Sequence, residues 1–349
     1  MSSRTPTCSW SDPMNTIVDI HAHVLFPEVM GLCGAAGPEM GDDNGVPFFR
    51  SAEYVLTNVK FANSPFSDLK LRLAAMDSFG IDHQILSPNP LTYFLAQPVE
   101  LGESFARAQN DAMAAVVRAY PARLSGLAQL PMQSVDGAVR ELERSVKELK
   151  LVGAQIASDI DGKVISDPLF DPLWQAFERL DVPVIVHPGT AGAERPAGQR
   201  EAMREFDLDI VIGFAADETA SAAHLLFGGV LDRHPGLRAV IPHAGGTAPW
   251  LKGRMRTAME RRPWAKGKYS RGFTELWNQM AFDCLVGTDE ALKFLVETEG
   301  AHRVMLGSNF AGWDQESGVV ARVKSLGLSP ATEKAVLGES AIAYFKLPI

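Results

Sequence analysis

Ile17-Val18-Asp19-Ile20-His21-Ala22-His23 is the first apolar run of the chain, and it ends in a His-x-His pair. Along a β-strand, residues i and i+2 point to the same face. His21 and His23 therefore project side by side from the strand's C-terminal end, where two imidazoles can grip one metal ion. Two further apolar runs end in histidine: Val182-Pro-Val-Ile-Val186 before His187, and Leu237-Arg-Ala-Val-Ile-Pro242 before His243. Barrel enzymes assemble their sites at the C-terminal ends of several strands.

Outward from this stretch, strand-like and helix-like segments alternate. Strand two is Gln84-Ile85-Leu86-Ser87, strand three Leu124 to Leu130, and strand four Leu151 to Ala157. Strands five and six lead to His187 and His243, strand seven is Gln279 to Cys284, and strand eight is Arg303 to Leu306. Helical spacing predicts helices over 67–79, 102–119, 137–149 and 217–233, with Pro121 stopping the second. Repeated alternation means βαβ units and a parallel sheet. Eight units predict an α/β fold, a (β/α)8 TIM barrel, as one domain over residues 1–349. The Gly/Pro/Asp-rich stretch from Pro27 to Pro47 shows no period and reads as a long loop within an insertion over about 25–66.

Composition narrows the function. The 349 residues carry a net charge of −9 and no basic block, which argues against a nucleic-acid partner. There is no run of about 18 apolar residues, so no membrane span is expected. The polar stretch from Met1 to Pro13 does not read as a signal peptide. Cys8, Cys33 and Cys284 have no CxxC spacing and cannot all pair, which favours a reducing cytoplasm.

His187, at the end of a core-like strand, is a natural third ligand beside His21 and His23, since neutral imidazole is a common zinc donor. The alternative is a buried structural histidine. His243 precedes Ala244-Gly245-Gly246 and could ligate the ion or act as a general acid/base beside it; three nitrogen ligands already present favour the second role. Asn309 stands where a carboxylate would ligate the ion and take a proton. Its amide has that shape without the charge, so Asn309→Asp is expected to raise metal affinity and turnover. Asp314 lies further along, in a predicted loop, and is expected to be a poor geometric substitute.

The chain resembles the amidohydrolase superfamily, in its branch of metal-dependent non-oxidative decarboxylases typified by 2-amino-3-carboxymuconate-6-semialdehyde decarboxylase. The resemblance runs from Asp19 to about Phe345. It rests on Asp19-Ile-His-Ala-His23, the Ala119-to-Gln133 run, Val152-Gly-Ala-Gln-Ile156, Val186-His-Pro188, Asp217-Glu-Thr219, Gly228-Gly-Val230, Pro242-His-Ala-Gly-Gly246, Gly253-Arg254 and Val304-Met-Leu-Gly-Ser308. It implies a distorted barrel and one divalent ion, zinc first, with manganese or iron as alternatives. It assigns His21, His23 and His187 as ligands, His243 as the acid/base that activates metal-bound water, and the Asn309 position to a ligating Asp. It matches Arg50 to an arginine that binds a substrate carboxylate. It matches Arg254 to an arginine offered across a dimer interface, so a homodimer is implied. Strand four offers Gln155 where two-metal members hold a carboxylated lysine, which favours one ion.

The implied activity is decarboxylation of a small unsaturated or aromatic carboxylic acid. Two stretches depart from the family's pattern, Gly189-Thr190-Ala191-Gly192 and Phe310-Ala311-Gly312-Trp313, and both would reshape the pocket. Hydrolysis or hydration on the same site is the alternative. A third reading makes this a weakened subunit, with Asn309 its lesion, in a hetero-oligomer with an active paralogue.

Overall fold

In the computed structural model, which describes residues 16–52, 54–58, 60–189, 205–312 and 314–349, eight parallel strand positions follow one another around a ring. After β1 (Val18–Val24) comes an antiparallel sheet of β2 (Glu39–Asp43), β3 (Val46–Ser51) and β4 (Tyr54–Thr57). The ring continues through β5 (His83–Pro88), β6 (Leu124–Gly126), β7 (Ala128–Gln129) and β8 (Ala154–Ala157). A short antiparallel pair, β9 (Asp159–Ile160) and β10 (Lys163–Val164), precedes β11 (Val184–His187), β12 (Ala239–Ile241), β13 (Met280–Asp283) and β14 (Val304–Met305).

Parallel pairing runs β1–β5–β6 and β7–β8–β11–β12–β13–β14. Hydrogen bonds join these two sheets at both seams. Leu127, between β6 and β7, donates its N–H to the Leu86 carbonyl at 2.9 Å. At the other seam Ile20 donates to the Leu306 carbonyl at 2.9 Å and Phe310 to the His21 carbonyl at 3.0 Å. The result is the (β/α)8 barrel expected from the alternation.

The helices are α1 (Leu69–Phe79), α2 (Val99–Ala119), α3 (Val135–Lys147), α4 (Asp171–Leu180), α5 (Leu208–Val211), α6 (Gly213–Phe227) and α7 (Val230–Arg233). They continue with α8 (Ala248–Arg261), α9 (Phe273–Trp277), α10 (Asp289–Glu299), α11 (Val319–Ser325), α12 (Pro330–Lys334) and α13 (Ser340–Phe345). Local chemistry sets their ends. The Asp68 carboxylate accepts from the N–H groups of Lys70 and Leu71 to start α1, and Gly80, at φ +72°, ends it. Ser134 caps α3 by accepting from Gly137. The helix predicted over 217–233 is two helices, because Gly229 takes φ +77° between α6 and α7.

The barrel floor is apolar. Val18 and Ile20 of β1 pack with Ile85, Ile185, Val240 and Met305 of other strands, and Phe345 and Leu347 close it from below. That leaves polar side chains for the opposite mouth.

The later part of the stretch expected to be patternless, Pro27 to Pro47, instead forms β2 and the start of β3 in the three-stranded sheet. Asp43 pairs with Val46 across the turn Asn44-Gly45, whose φ angles are +55° and +88°. Two positive values in succession define the hairpin turn that Asn-Gly favours. One face of this sheet buries Phe49 against Leu25, Phe61, Phe66 and Leu91.

Among the described residues one helical stretch, Glu205–Phe227, is long and apolar enough to cross a membrane by length and composition. It is kinked, with Phe206 and Asp207 at positive φ, and α6 within it buries Glu218 and Leu225 in the fold. The stretch 190–192 and Trp313, both noted as departures, lie outside the described residues.

Candidate metal centre

β1 brings His21 and His23 to the barrel mouth, their ring centroids 5.0 Å apart. The β1–β5 register shifts between Asp19 and Ala22, at the His-x-His itself. Irregularities of this kind re-aim side chains beside sites. β11 ends at His187, so its ring joins the pair at 5.2 Å from His21 and 4.9 Å from His23. All three histidines are buried, and one nitrogen from each lies within 4.8 Å of the others.

Hydrogen bonds fix which nitrogen is free. His21 Nδ1 donates to Asp283 Oδ2 at 2.7 Å, and His187 Nδ1 donates to the Pro188 carbonyl at 2.8 Å. His23 Nδ1 meets the Ser87 hydroxyl at 3.0 Å. The Nε2 lone pairs of His21 and His187 therefore face each other at 3.3 Å, with His23 Nε2 3.2 Å from His21 Nε2. Lone pairs so close repel unless a cation stands among them. Desolvation, and then neighbouring histidines, hold the His23 and His187 pKa values well below 6.5, so both rings are neutral and ready to ligate. This donor set fits one divalent ion, and the imidazole-to-carboxylate contact at His21 is the usual support for such a ligand.

Asp19 ties the strand ends together. Its carboxylate, fully buried, accepts from His21 N–H at 3.0 Å, Ser308 N–H at 3.1 Å, Ser308 Oγ at 2.6 Å and Gln84 Nε2 at 2.9 Å. The buried Arg72 guanidinium donates to Gln84 Oε1 at 3.0 Å and to the His23 carbonyl, and lies over the Phe310 ring.

His243 stands on the turn after β12, at φ +44°, its ring 4.8 Å from His21. Its Nδ1 makes a short hydrogen bond to Oε1 of Glu218, which α6 buries completely. Burial pushes Glu218 up to about 7, against the pull of His243. Burial works to lower His243, but the Glu218 carboxylate outweighs it and, with Asp283 and Asp314, raises it to about 9. The pair shares one proton, and His243 Nε2 remains for the cavity.

That cavity, of about 200 Å³, is bordered by His23, His187, His243 and Asn309 and walled by Leu56, Phe61, Leu91 and Phe214. Gln155 hydrogen-bonds the Tyr93 hydroxyl and the Pro88 carbonyl. Asn309 borders the cavity. Asp314, expected to be too far along the loop, accepts a hydrogen bond from Asn309 Nδ2.

Two arginines stand apart from these groups. Arg50 does not border the cavity: Phe49 faces the packed side of β3, so its neighbour in the alternation points the other way. The Arg50 guanidinium pairs with Glu39 Oε2 at 2.6 Å and with the Ala35 carbonyl at 2.6 Å. Arg254 is exposed on α8.

Sequence reasoning passed over Asp283 and Glu218 as individual residues. The signals were there: Asp283 ends strand seven, and Glu218 is the centre of the Asp-Glu-Thr run.

A sequence profile of the Amidohydrolase family matches residues 18–347. The chain belongs to the amidohydrolase family. Among its relatives, 2-amino-3-carboxymuconate-6-semialdehyde decarboxylase of Dictyostelium discoideum is 32% identical over 246 residues, 70% of this chain and 66% of that one. Gamma-resorcylate decarboxylase of Rhodococcus jostii is 35% identical over 193 residues, 51% of this chain and 56% of that one. The match thus spans less than two thirds of the length of these two relatives. Among solved structures, 5-carboxyvanillate decarboxylase of Sphingomonas paucimobilis superposes with a TM-score of 0.81 at 23% identity, over 95% of this chain and 99% of that one. The dihydroxybenzoic acid decarboxylase of Polaromonas, solved with manganese and 2-nitroresorcinol bound, gives 0.75 at 24% identity over 96% and 98%. These neighbours carry the barrel reading, and the relatives bear out the decarboxylase resemblance read from the motifs.

Proposed function

We propose that this amidohydrolase is a metal-dependent carboxy-lyase that removes carbon dioxide from a small unsaturated or aromatic carboxylic acid. The observation that carries the reading is the convergence of the His21, His23 and His187 imidazoles beside the His243–Glu218 pair, at the base of an apolar cavity. His21, His23 and His187 would hold the ion, zinc first, with the amide oxygen of Asn309 beside them. When bound, the ion supplies a positive charge that anchors the carboxylate and offsets negative charge developing on the substrate.

The chain's own groups do the rest. Leu56, Phe61, Leu91 and Phe214 enclose the ring or alkene and keep water from it. His243 presents a proton at Nε2 and gives it to the carbon that bears the carboxylate. Glu218 holds the imidazole in place through Nδ1 and balances its charge. A π pair of the ring or alkene takes up that proton as the new C–H bond; the C–C bond to the carboxylate then breaks, and its electron pair restores the π-system as carbon dioxide leaves. The balance is acid anion plus proton to carbon dioxide plus the hydrogen-bearing product. Arg254 is assigned to the site of a second copy in a homodimer, and the protein to the cytoplasm.

A hydratase reading has one observation in its favour: a 2-keto-4-carboxy-3-hexenedioate hydratase of Sphingobium is 26% identical over 252 residues. One experiment separates the two. The metal-loaded protein is incubated with a panel of aromatic and unsaturated acids, and carbon dioxide release and product mass are followed together. Release of carbon dioxide with loss of 44 mass units is expected. A gain of one water without gas would establish the hydratase instead.

A further inference from the structure

We propose that Asp314 is a positioning residue of the metal centre: it turns the Asn309 amide so that its oxygen faces the ion, and it polarises that amide. The inference rests on the metal-centre reading but not on the decarboxylation.

Asn309 is 3% exposed and borders the cavity with His23, His187 and His243. Its Nδ2 donates to Asp314 Oδ1. A carboxylate offers only acceptors, so the amide must turn its NH2 group toward Asp314 and its oxygen away. That oxygen is buried and accepts no hydrogen bond among the described residues. A buried acceptor without a donor is costly, and a cation among the three imidazoles would satisfy it.

The local chain holds this arrangement. Gly312 lies against the amide so closely that a Cβ would overlap it, and its N–H donates to the Asn309 carbonyl at 2.7 Å. The Glu316 N–H donates to the Ser308 carbonyl at 2.9 Å, which ties the loop bearing Asp314 back to the strand end. A charged acceptor on the amide N–H draws electron density onto the carbonyl oxygen and makes it a better donor to a cation. A carboxylate behind a ligating imidazole acts by the same logic. The carboxylate that the family carries at position 309 thus acts here through one intervening amide.

The test is metal affinity. Metal-free protein is titrated with Zn²⁺ against a chromophoric chelator, and with Co²⁺ while its visible absorption is followed. Asp314→Ala is expected to weaken Zn²⁺ binding by roughly 10–100-fold and to change the Co²⁺ spectrum. Asp314→Asn keeps an acceptor without the charge and should fall between. Asn309→Asp alone, expected from the sequence to bind more tightly, places two carboxylates together and on this proposal should bind no tighter than the unaltered chain, while Asn309→Asp with Asp314→Asn exchanges the partners and should bind tighter than either single variant. Unchanged affinity and spectrum in Asp314→Ala overturn the proposal. Should Asp314→Ala melt at low temperature, the exchanged pair decides: weaker binding than in Asn309→Asp alone also overturns it.

Discussion

At the residue scale, each histidine of the centre takes its role from the group behind it. Asp283 fixes the His21 tautomer and Glu218 fixes that of His243. His21→Ala is expected to abolish stoichiometric metal, measured by elemental analysis per chain; full retention would remove His21 from the ligand set. Glu218→Gln keeps the shape but removes the charge that holds the His243 proton, so turnover should fall by about 10²–10⁴-fold, as for loss of a general acid, with metal content unchanged. The pH dependence of metal binding follows from the depressed pKa values of His23 and His187. Protons compete for a ligand only below its own pKa, and both lie well below 6.5. Affinity measured by calorimetry should therefore lose nothing to protonation of these two ligands until the pH is below 6.5; a loss between pH 7.5 and 6.5 steeper than one proton per ion would contradict these directions.

At the element scale, the sheet β2–β3–β4 is a wall of the site rather than a loose connection. β4 contributes Leu56 to the cavity, and β3 anchors the sheet through Phe49. Phe49→Ala removes a fully buried ring. It should cost about 3–5 kcal/mol, read as a lower midpoint of denaturant unfolding, and it should weaken binding of an aromatic acid while leaving the metal in place. The sequence did signal this hairpin through Asn44-Gly45. Its alternation is blurred because the face opposite Phe49 carries Val46 and Phe48 beside Arg50, and because Pro47 and Gly41 dilute the strand pattern. The helix expected over 217–233 failed for a different reason. Periodicity continues across Gly228-Gly229, and only the left-handed backbone at Gly229 shows the break.

At the scale of the whole molecule, the ion and the barrel are coupled, because the ligands come from β1 and β11, on different parts of the ring. A ligand that binds only the folded state stabilises it by about 2.7 kcal/mol at 100 times its dissociation constant. Stripping the metal with a chelator should therefore lower the melting temperature of this chain, and Zn²⁺ should restore it. His21→Ala should show no such shift.

The strand order, the barrel and the four histidines were legible in the sequence because each rests on short-range physics: buried apolar runs, helical spacing, and side chains at strand ends. So was the anomaly at Asn309. The partners were not. Asp283 reaches His21 across 262 positions, and Glu218 reaches His243 across 25. Arg50 turned to Glu39 because the packing of Phe49 sets the sheet's faces, and Asp314 folded back onto Asn309 because the loop between them is tied to Ser308. Which side chain could carry a metal was a property of residue type and strand position. Which neighbour fixes its proton, its tautomer and its charge was decided only by tertiary structure, since those energies depend on distances of a few ångströms between residues far apart in the chain.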